Sequence, residues 1–474
     1  MVLGPDARRI SLILRRRARK PRPPIHHRYH PMNSRRSFLR TTAATAAGLA
    51  FPTIIPARVL AASPNGKVRH AAIGCSNQAW SDLQVLAGSG KIEVVALCDV
   101  DVAAAAEARA AFPQAKFVQD WRELLGDMAD QFDSVNVTVP DHMHASMTLQ
   151  AMRQGKHVYC QKPLTRTIAE ARAVAEASTS RPQLVTQMGN QIQSEYEYRS
   201  AVELLKTGVI GKVKEIHAWT SATFPQRGRP AGADPVPEGL NWDHWLGVAP
   251  VRPYKKDIYH RFNWRGWQDF GGGPIADFCC HILDTPFKAL DLVPPTSVQA
   301  EVPKEWADSE EMRKENWPDW AIYRYEFAAT PMTSGPLPVT WYDGGRQPDP
   351  ALFQGATIPG GGALFIGEEG TLLLPHYATP RVLGRKIELP KLEPRNHYHH
   401  FIESILSEGK VKTTSPFSFG APLTETGLLG TIASRFPGKK LDWHSGDMRF
   451  TNNEAANALV RPSYRDGWAV KELS

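Results

Sequence analysis

Cysteine is scarce in this chain: five in 474 residues, at positions 75, 98, 160, 279 and 280. Their spacing forms neither a disulfide framework nor a zinc quartet, and adjacent Cys279 and Cys280 could bridge each other only with strain. All five read as buried thiols, and metal is not expected. The chain also lacks an apolar run long enough to span a bilayer; its weakly apolar stretch, Thr41 to Phe51, is short and rich in small residues. No internal repeat is visible. Beyond residue 40 there is no basic excess. Residues 1–40 hold twelve Lys/Arg against one acid, Asp6, a balance of +11, so with a formal total of +8 the rest of the chain sums to −3. That distribution argues against a nucleic-acid-binding face, which the overall charge alone would suggest.

What is present begins with the leader. Ser34-Arg35-Arg36-Ser37-Phe38-Leu39-Arg40 precedes the Ala/Thr-rich stretch and resembles a twin-arginine export signal, with Phe38 and Leu39 after the paired arginines. The resemblance implies delivery by the twin-arginine translocation machinery to the periplasm, cleavage near Ala61 or Ala62, and a true start at Met32. Such machinery carries folded proteins, often with cofactor bound.

The chain is long for one core, which favours two domains. Strand-like runs at Val68–Gly74, Ile92–Asp99, Ser134–Val139, Val158–Cys160 and Gln183–Gln187 alternate with helical patterns at short spacing. This predicts a doubly wound parallel sheet, a Rossmann-type α/β domain, over about 66–190. After residue 210 the strand-like runs are Val213–Ser221, Ser297–Val302, Trp320–Phe327 and Val339–Asp343. They predict a second α/β domain, within 191–474, with a large, mostly antiparallel open sheet. The Pro/Gly/Trp-rich interval Phe224–Pro274 reads as a long functional loop.

The first strand leads into Gly74-Cys75-Ser76-Asn77-Gln78-Ala79, the frame of a G-x-G-x-x-G/A dinucleotide loop with one glycine in place. Gly74 can make the tight turn and Ala79 fits the third position. Ser76 places a Cβ where backbone should approach phosphate, although its hydroxyl can donate to a phosphate oxygen. Asp99, 25 residues beyond Gly74, is spaced to hold adenosine ribose hydroxyls and to repel a 2′-phosphate, favouring NAD over NADP.

Thr138-Val139-Pro140-Asp141-His142-Met143-His144, Ala151, Gly155-Lys156-His157-Val158 and Gln161-Lys162-Pro163 resemble the Gfo/Idh/MocA oxidoreductases. That family's hallmark is E-K-P preceded by A-x-x-x-G-K-H-V; Gln161 replaces the glutamate. The likeness continues through Gln187–Gln191, Gly208–Thr220, Trp245–Gly247, Tyr259–Gly273, Asp277–Asp284 and Tyr464–Trp468. It implies an NAD site that includes Gly74, Ser76, Asn77, Gln78, Asp99, Thr138, Pro140, His144, Gln161, Lys162 and Gln191. It also implies a homo-oligomer built through the second sheet.

Asp277 and His281, four apart, share a helical face after Gly271-Gly272-Gly273-Pro274. A neutral His281 can take a hydroxyl proton, Asp277 can hold substrate or orient the ring, and Lys162 can lower the alcohol's pKa. In inositol dehydrogenase-like relatives these three positions fill those roles. Tyr259, Arg265 and Trp267 suggest a sugar platform, with Asp284 and His397 as further substrate contacts; the tryptophans could equally pin the loop. His397, His399 and His400 read as polar residues at an exposed helix start. The expected function is an exported NAD-dependent oxidoreductase acting on a sugar, polyol or glycoside hydroxyl, with cofactor tightly held and recycled in place. Two alternatives stay open: a glycoside hydrolase working through transient oxidation and elimination, and a catalytically idle sugar-binding relative.

Overall fold

The structure, a computed structural model, describes residues 66–473 apart from 227 and 462. The basic leader and its twin-arginine-like segment lie outside the described residues.

Six strands, β1 (Val68–Ile73), β2 (Ile92–Cys98), β3 (Lys116–Val118), β4 (Ser134–Val137), β5 (His157–Gln161) and β6 (Thr186–Gly189), form one sheet in the order β3-β2-β1-β4-β5-β6. Every pairing is parallel. β4, β5 and β6 are buried at every position, as strands covered on both faces must be. Their polar members are satisfied within the sheet: His70 Nδ1 meets Ser134 Oγ at 2.8 Å and Nε2 meets Asn136 Oδ1 at 3.0 Å. The strand order reverses between β1 and β4, so a crevice opens at the carboxyl ends of these strands.

The second sheet contains β7 (Val213–Trp219), β8 (Ser297–Glu301), β9 (Ile322–Phe327), β10 (Leu337–Tyr342), β11 (Gly362–Gly367), β12 (Thr371–Pro375), β13 (Arg381–Val382), β14 (Leu441–His444) and β15 (Arg449–Phe450). Their order is β13-β12-β11-β7-β10-β9-β8-β14-β15. Only β7 and β10 pair in parallel; the other pairings are antiparallel. In β9, Tyr323, Tyr325 and Phe327 are buried while Arg324 and Glu326 are exposed, the period-two pattern of a half-covered sheet. The expected α/β architecture, with a parallel first sheet and a large, mostly antiparallel second one, is the observed one.

The longest helix among the described residues carries no clear helical signal in the sequence. Phe417–Ser434 is an 18-residue helix despite Pro422 within it, and Gly420, Gly427 and Gly430 would each weaken an isolated helix. It packs between the helices Ile168–Thr179 and Gly273–Ile282, and 15 of its residues are buried. A helix buried all round shows no amphipathic stripe. Its glycines are where neighbours come close: a Cβ at Gly427 would lie 3.1 Å from Cys279 Sγ, and one at Gly430 2.3 Å from Tyr325 Oη.

Candidate active site

Gly74 follows β1 with φ +91°, and a Cβ there would sit 2.0 Å from the Thr138 carbonyl oxygen. Only glycine lets β1 and the β4 loop approach so closely. The residue with positive φ further along is Asn77 (φ 51°), not Ser76, so the turn does not demand glycine at the second motif position. Helix Gln78–Gly88 starts there with no side chain capping its first amides, which leaves that N-terminus available to an anion. Asp99, just past β2, accepts from Cys75 N at 2.9 Å and Asp101 N at 3.0 Å; burial raises its pKa to about 6. Thus the acid expected on the ribose also braces the loop.

These residues line a cleft of about 340 Å³ together with Thr138, Pro140, Asp141, Gln161, Lys162 and Arg265. A phosphate-ready helix start, a glycine turn and a strand-end carboxylate in one cleft fit a dinucleotide.

At the cleft's end Lys162 Nζ donates to Asp277 Oδ1 at 2.8 Å and to the Asp277 carbonyl at 3.2 Å. Arg265 Nε is 3.9 Å from the same Oδ1. Burial alone would raise the Asp277 pKa, yet Lys162 and Arg265 outweigh it and hold the carboxyl below its ordinary range. His281 lies one turn further on the Gly273–Ile282 helix, 6% exposed. Burial first, then the Lys162 charge, pushes its pKa well below 6.5, so the ring is neutral. Its Nδ1 is buried without a hydrogen-bond partner. Asp277 therefore grips Lys162 rather than orienting the His281 ring.

Several expected contacts are placed elsewhere. His144 is buried with Nδ1 on the Pro163 carbonyl (2.7 Å) and Nε2 on the Val139 carbonyl (2.8 Å); it ties two loops together and is absent from the cleft lining. Gln191 also lies off that cleft. Tyr259 and Trp267 are 3% and 1% exposed, in an aromatic cluster with Trp245, Trp264 and Phe270. They pin the long loop, so an open sugar platform is not formed by them. Asp284 is buried, accepting from Asn190 Nδ2 at 2.9 Å and Gln193 Nε2 at 2.6 Å. His397 is not at an exposed helix start; it is buried, with Nε2 on the Met188 carbonyl at 3.0 Å. The Tyr159 ring, Ser194 and Thr414 also close around it, which overrides the exposed reading of that helix start.

Two neighbours, Asp82 and His376, escaped the sequence reading, and a third, Asp141, entered it only as part of a family motif. Asp82 is buried and accepts from Gln78 Nε2 (2.7 Å), Tyr398 Oη (2.8 Å), Gln161 Nε2 (2.9 Å) and Thr138 Oγ1 (3.1 Å). Gln161 Oε1 in turn accepts from Lys162 N at 3.0 Å. Asp141 is 4% exposed and accepts from Gly272 N at 3.3 Å; burial, then the Asp277 charge, raises its pKa to about 7. His376, after β12, stands with its ring 5.9 Å from that of His281, and burial with the Lys162 charge lowers its pKa to about 4. Nothing in local sequence marks His376; it reaches the site only through the sheet.

Together these features define a two-domain protein whose dinucleotide cleft ends on a lysine–aspartate pair. Residues 68–188 match the oxidoreductase family NAD-binding Rossmann fold, and residues 215–320 match the C-terminal α/β domain of the same family. Residues 68–188 and 215–320 thus carry the two domains of the Gfo/Idh/MocA oxidoreductase family, the first of them NAD-binding. It is 27% identical over 162 residues to inositol 2-dehydrogenase of Salmonella typhimurium, covering 33% of this chain and 47% of the relative. It is 30% identical over 196 residues to levoglucosan dehydrogenase of Pseudarthrobacter phenanthrenivorans, 40% of each. The chain thus spans about half, or less, of the length of these relatives. Among solved structures, the WlbA dehydrogenase from Bordetella pertussis in complex with NADH and UDP-GlcNAcA shares the fold at a TM-score of 0.56. The identity there is 16%, over 80% of this chain and 99% of that one.

Proposed function

We propose that this protein is an exported NAD-dependent dehydrogenase acting on a secondary hydroxyl of a sugar, polyol or glycoside. One observation carries the reading: Lys162, at the end of the nucleotide cleft, is ion-paired to Asp277 one helical turn from a neutral, buried His281. The first amides of helix Gln78–Gly88 and the Ser76 hydroxyl would hold the pyrophosphate, and Asp99 the adenosine ribose. Bound NAD supplies a hydride acceptor for the carbinol carbon.

The chain's own groups handle the proton and the charge. Lys162 Nζ, fixed by Asp277, donates to the substrate oxygen and stabilises negative charge as it develops there. His281, neutral, accepts the hydroxyl proton. Arg265 helps keep Asp277 ionised, so Lys162 stays anchored through turnover. The leader would pass the folded, loaded protein to the twin-arginine machinery, and the second sheet would carry homo-oligomer contacts. Because free NAD is scarce outside the cytoplasm, the cofactor would be tightly held and recycled within the site.

The test is to purify the protein from its native export route, release any nucleotide by denaturing extraction, and identify products from sugars and polyols by mass. NAD(H) with a keto sugar or lactone supports the proposal. Free sugar without a keto product, from glycosides and without added NAD, would replace it with the hydrolytic reading.

A further inference from the structure

A second concave site lies away from the nucleotide cleft. It is a pocket of about 260 Å³ lined by Arg166, Arg435 and Arg461, with Gln268, Gly272 and Trp317 forming part of its wall. None of the three arginines forms an ion pair among the described residues. Arg166 makes one side-chain hydrogen bond, Nη1 to the Gln268 carbonyl at 3.2 Å, and its Nε is buried with no partner. Burial and the Arg166 charge together lower the pKa of Arg435.

The nearby carboxylates offset these charges only in part. Asp269, on the pocket wall, is held by Arg229 at 2.6 Å and Arg252 at 2.9 Å. Glu170 accepts from Arg166 N at 3.1 Å, Thr167 N at 2.8 Å and Tyr464 Oη at 2.6 Å, all neutral donors, so its charge offsets one of the three arginines and the pocket stays net positive. Arg166 also precedes the start of helix Ile168–Thr179, where the helix dipole disfavours a cation. Like charges converging on a concavity, with an unsatisfied guanidinium N–H, are the arrangement that an oxyanion stabilises through charge-assisted, bidentate hydrogen bonds.

We propose that this pocket binds a small oxyanion, a phosphate or sulfate group, either free or as the ester of a compact ligand. Its volume is below that of most drug-sized sites, which restricts the ligand to a few atoms beyond the oxyanion. Through Gly272, whose N–H meets Asp141, the pocket backs onto the start of the helix carrying Asp277 and His281.

The test uses full-length protein saturated with NAD, so that the nucleotide cleft is blocked. Melting is followed as inorganic phosphate is added, against NaCl of equal ionic strength, with glycerol 2-phosphate as a parallel arm. Phosphate should raise Tm by several degrees beyond the salt control, about what saturation well above Kd gives. Equal shifts in both arms identify the free oxyanion as sufficient, and a larger shift with glycerol 2-phosphate identifies an ester. Arg435→Gln should abolish the response, and Arg461→Gln, at the exposed rim, should shift its midpoint about tenfold to higher phosphate. A wild-type response no larger than that to NaCl, or an undiminished response in both variants, overturns the proposal.

Discussion

Gln161 Nε2 donates to Asp82 Oδ2 at 2.9 Å, and both side chains are buried. At the position where the family hallmark carries glutamate, this chain has an amide, and the carboxylate stands across from it on the first helix. All four donors to Asp82 are neutral, so the site holds one buried negative charge and no room for a second. Gln161→Glu should therefore destabilise the protein by about 3 kcal/mol and weaken NAD binding. Asp82→Asn in that background should restore most of both. Thermal melts and NAD titrations of the two singles and the double close the cycle.

Much of this was legible in sequence, and the boundary is physical. Strand–helix alternation set out the parallel sheet because its strands are short, buried and regularly spaced; β1, β2 and β4 fall within two residues of their expected ends. Lys162 and the Asp277/His281 pair were legible because neighbours along the chain carry them in a recognisable order. Asp82 and His376 were not, because each reaches the site through long-range packing. Tyr259 and Trp267 misled because an aromatic in a loop can face either sugar or its own loop, and only burial distinguishes the two.

Gly74 is the most restrictive position of the nucleotide loop. Gly74→Ala forces a Cβ into the Thr138 carbonyl at 2.0 Å in a left-handed conformation. The expected cost is about 3 kcal/mol or more, with NAD affinity lost alongside. Denaturant midpoints and NAD titration check this.

Asp141 gives a pH signature. Its pKa is about 7 when folded, against an ordinary 3.8, so between these values the folded state keeps a proton that the unfolded chain has lost. The stability it contributes is complete below about pH 4, falls as pH rises towards 7, and stays lost above. Asp141→Asn keeps an acceptor for Gly272 N and removes this dependence. The difference in unfolding free energy between variant and wild type should rise by about 1.4 kcal/mol per pH unit within that window. Asp284 and Asp343, both near 7, act with the same sign in both proteins and cancel from the difference.

Tyr198 Oη accepts from Tyr377 N at 3.2 Å and stands against His376 Nδ1. With the Tyr198 hydroxyl donating to Nδ1, the neutral His376 ring, 5.9 Å from that of His281, keeps its proton on Nε2 and can donate to substrate. His376→Ala should raise KM for the polyol or sugar about 3- to 10-fold, the worth of one neutral hydrogen bond. NAD affinity should be unchanged. Steady-state kinetics at saturating NAD separate the two.

The central claim is that Lys162, held by Asp277, serves alcohol oxidation at a bound NAD. The most direct measurement is a single turnover: NAD-loaded protein is mixed with a panel of polyols and sugars, and reduced nicotinamide is followed by its fluorescence. A reduced-nicotinamide signal that forms with at least one substrate, and that Lys162→Ala slows by about 100-fold or more without releasing NAD, is the predicted result. A signal of equal rate in Lys162→Ala, or none with any sugar or polyol while NAD stays bound, would contradict it.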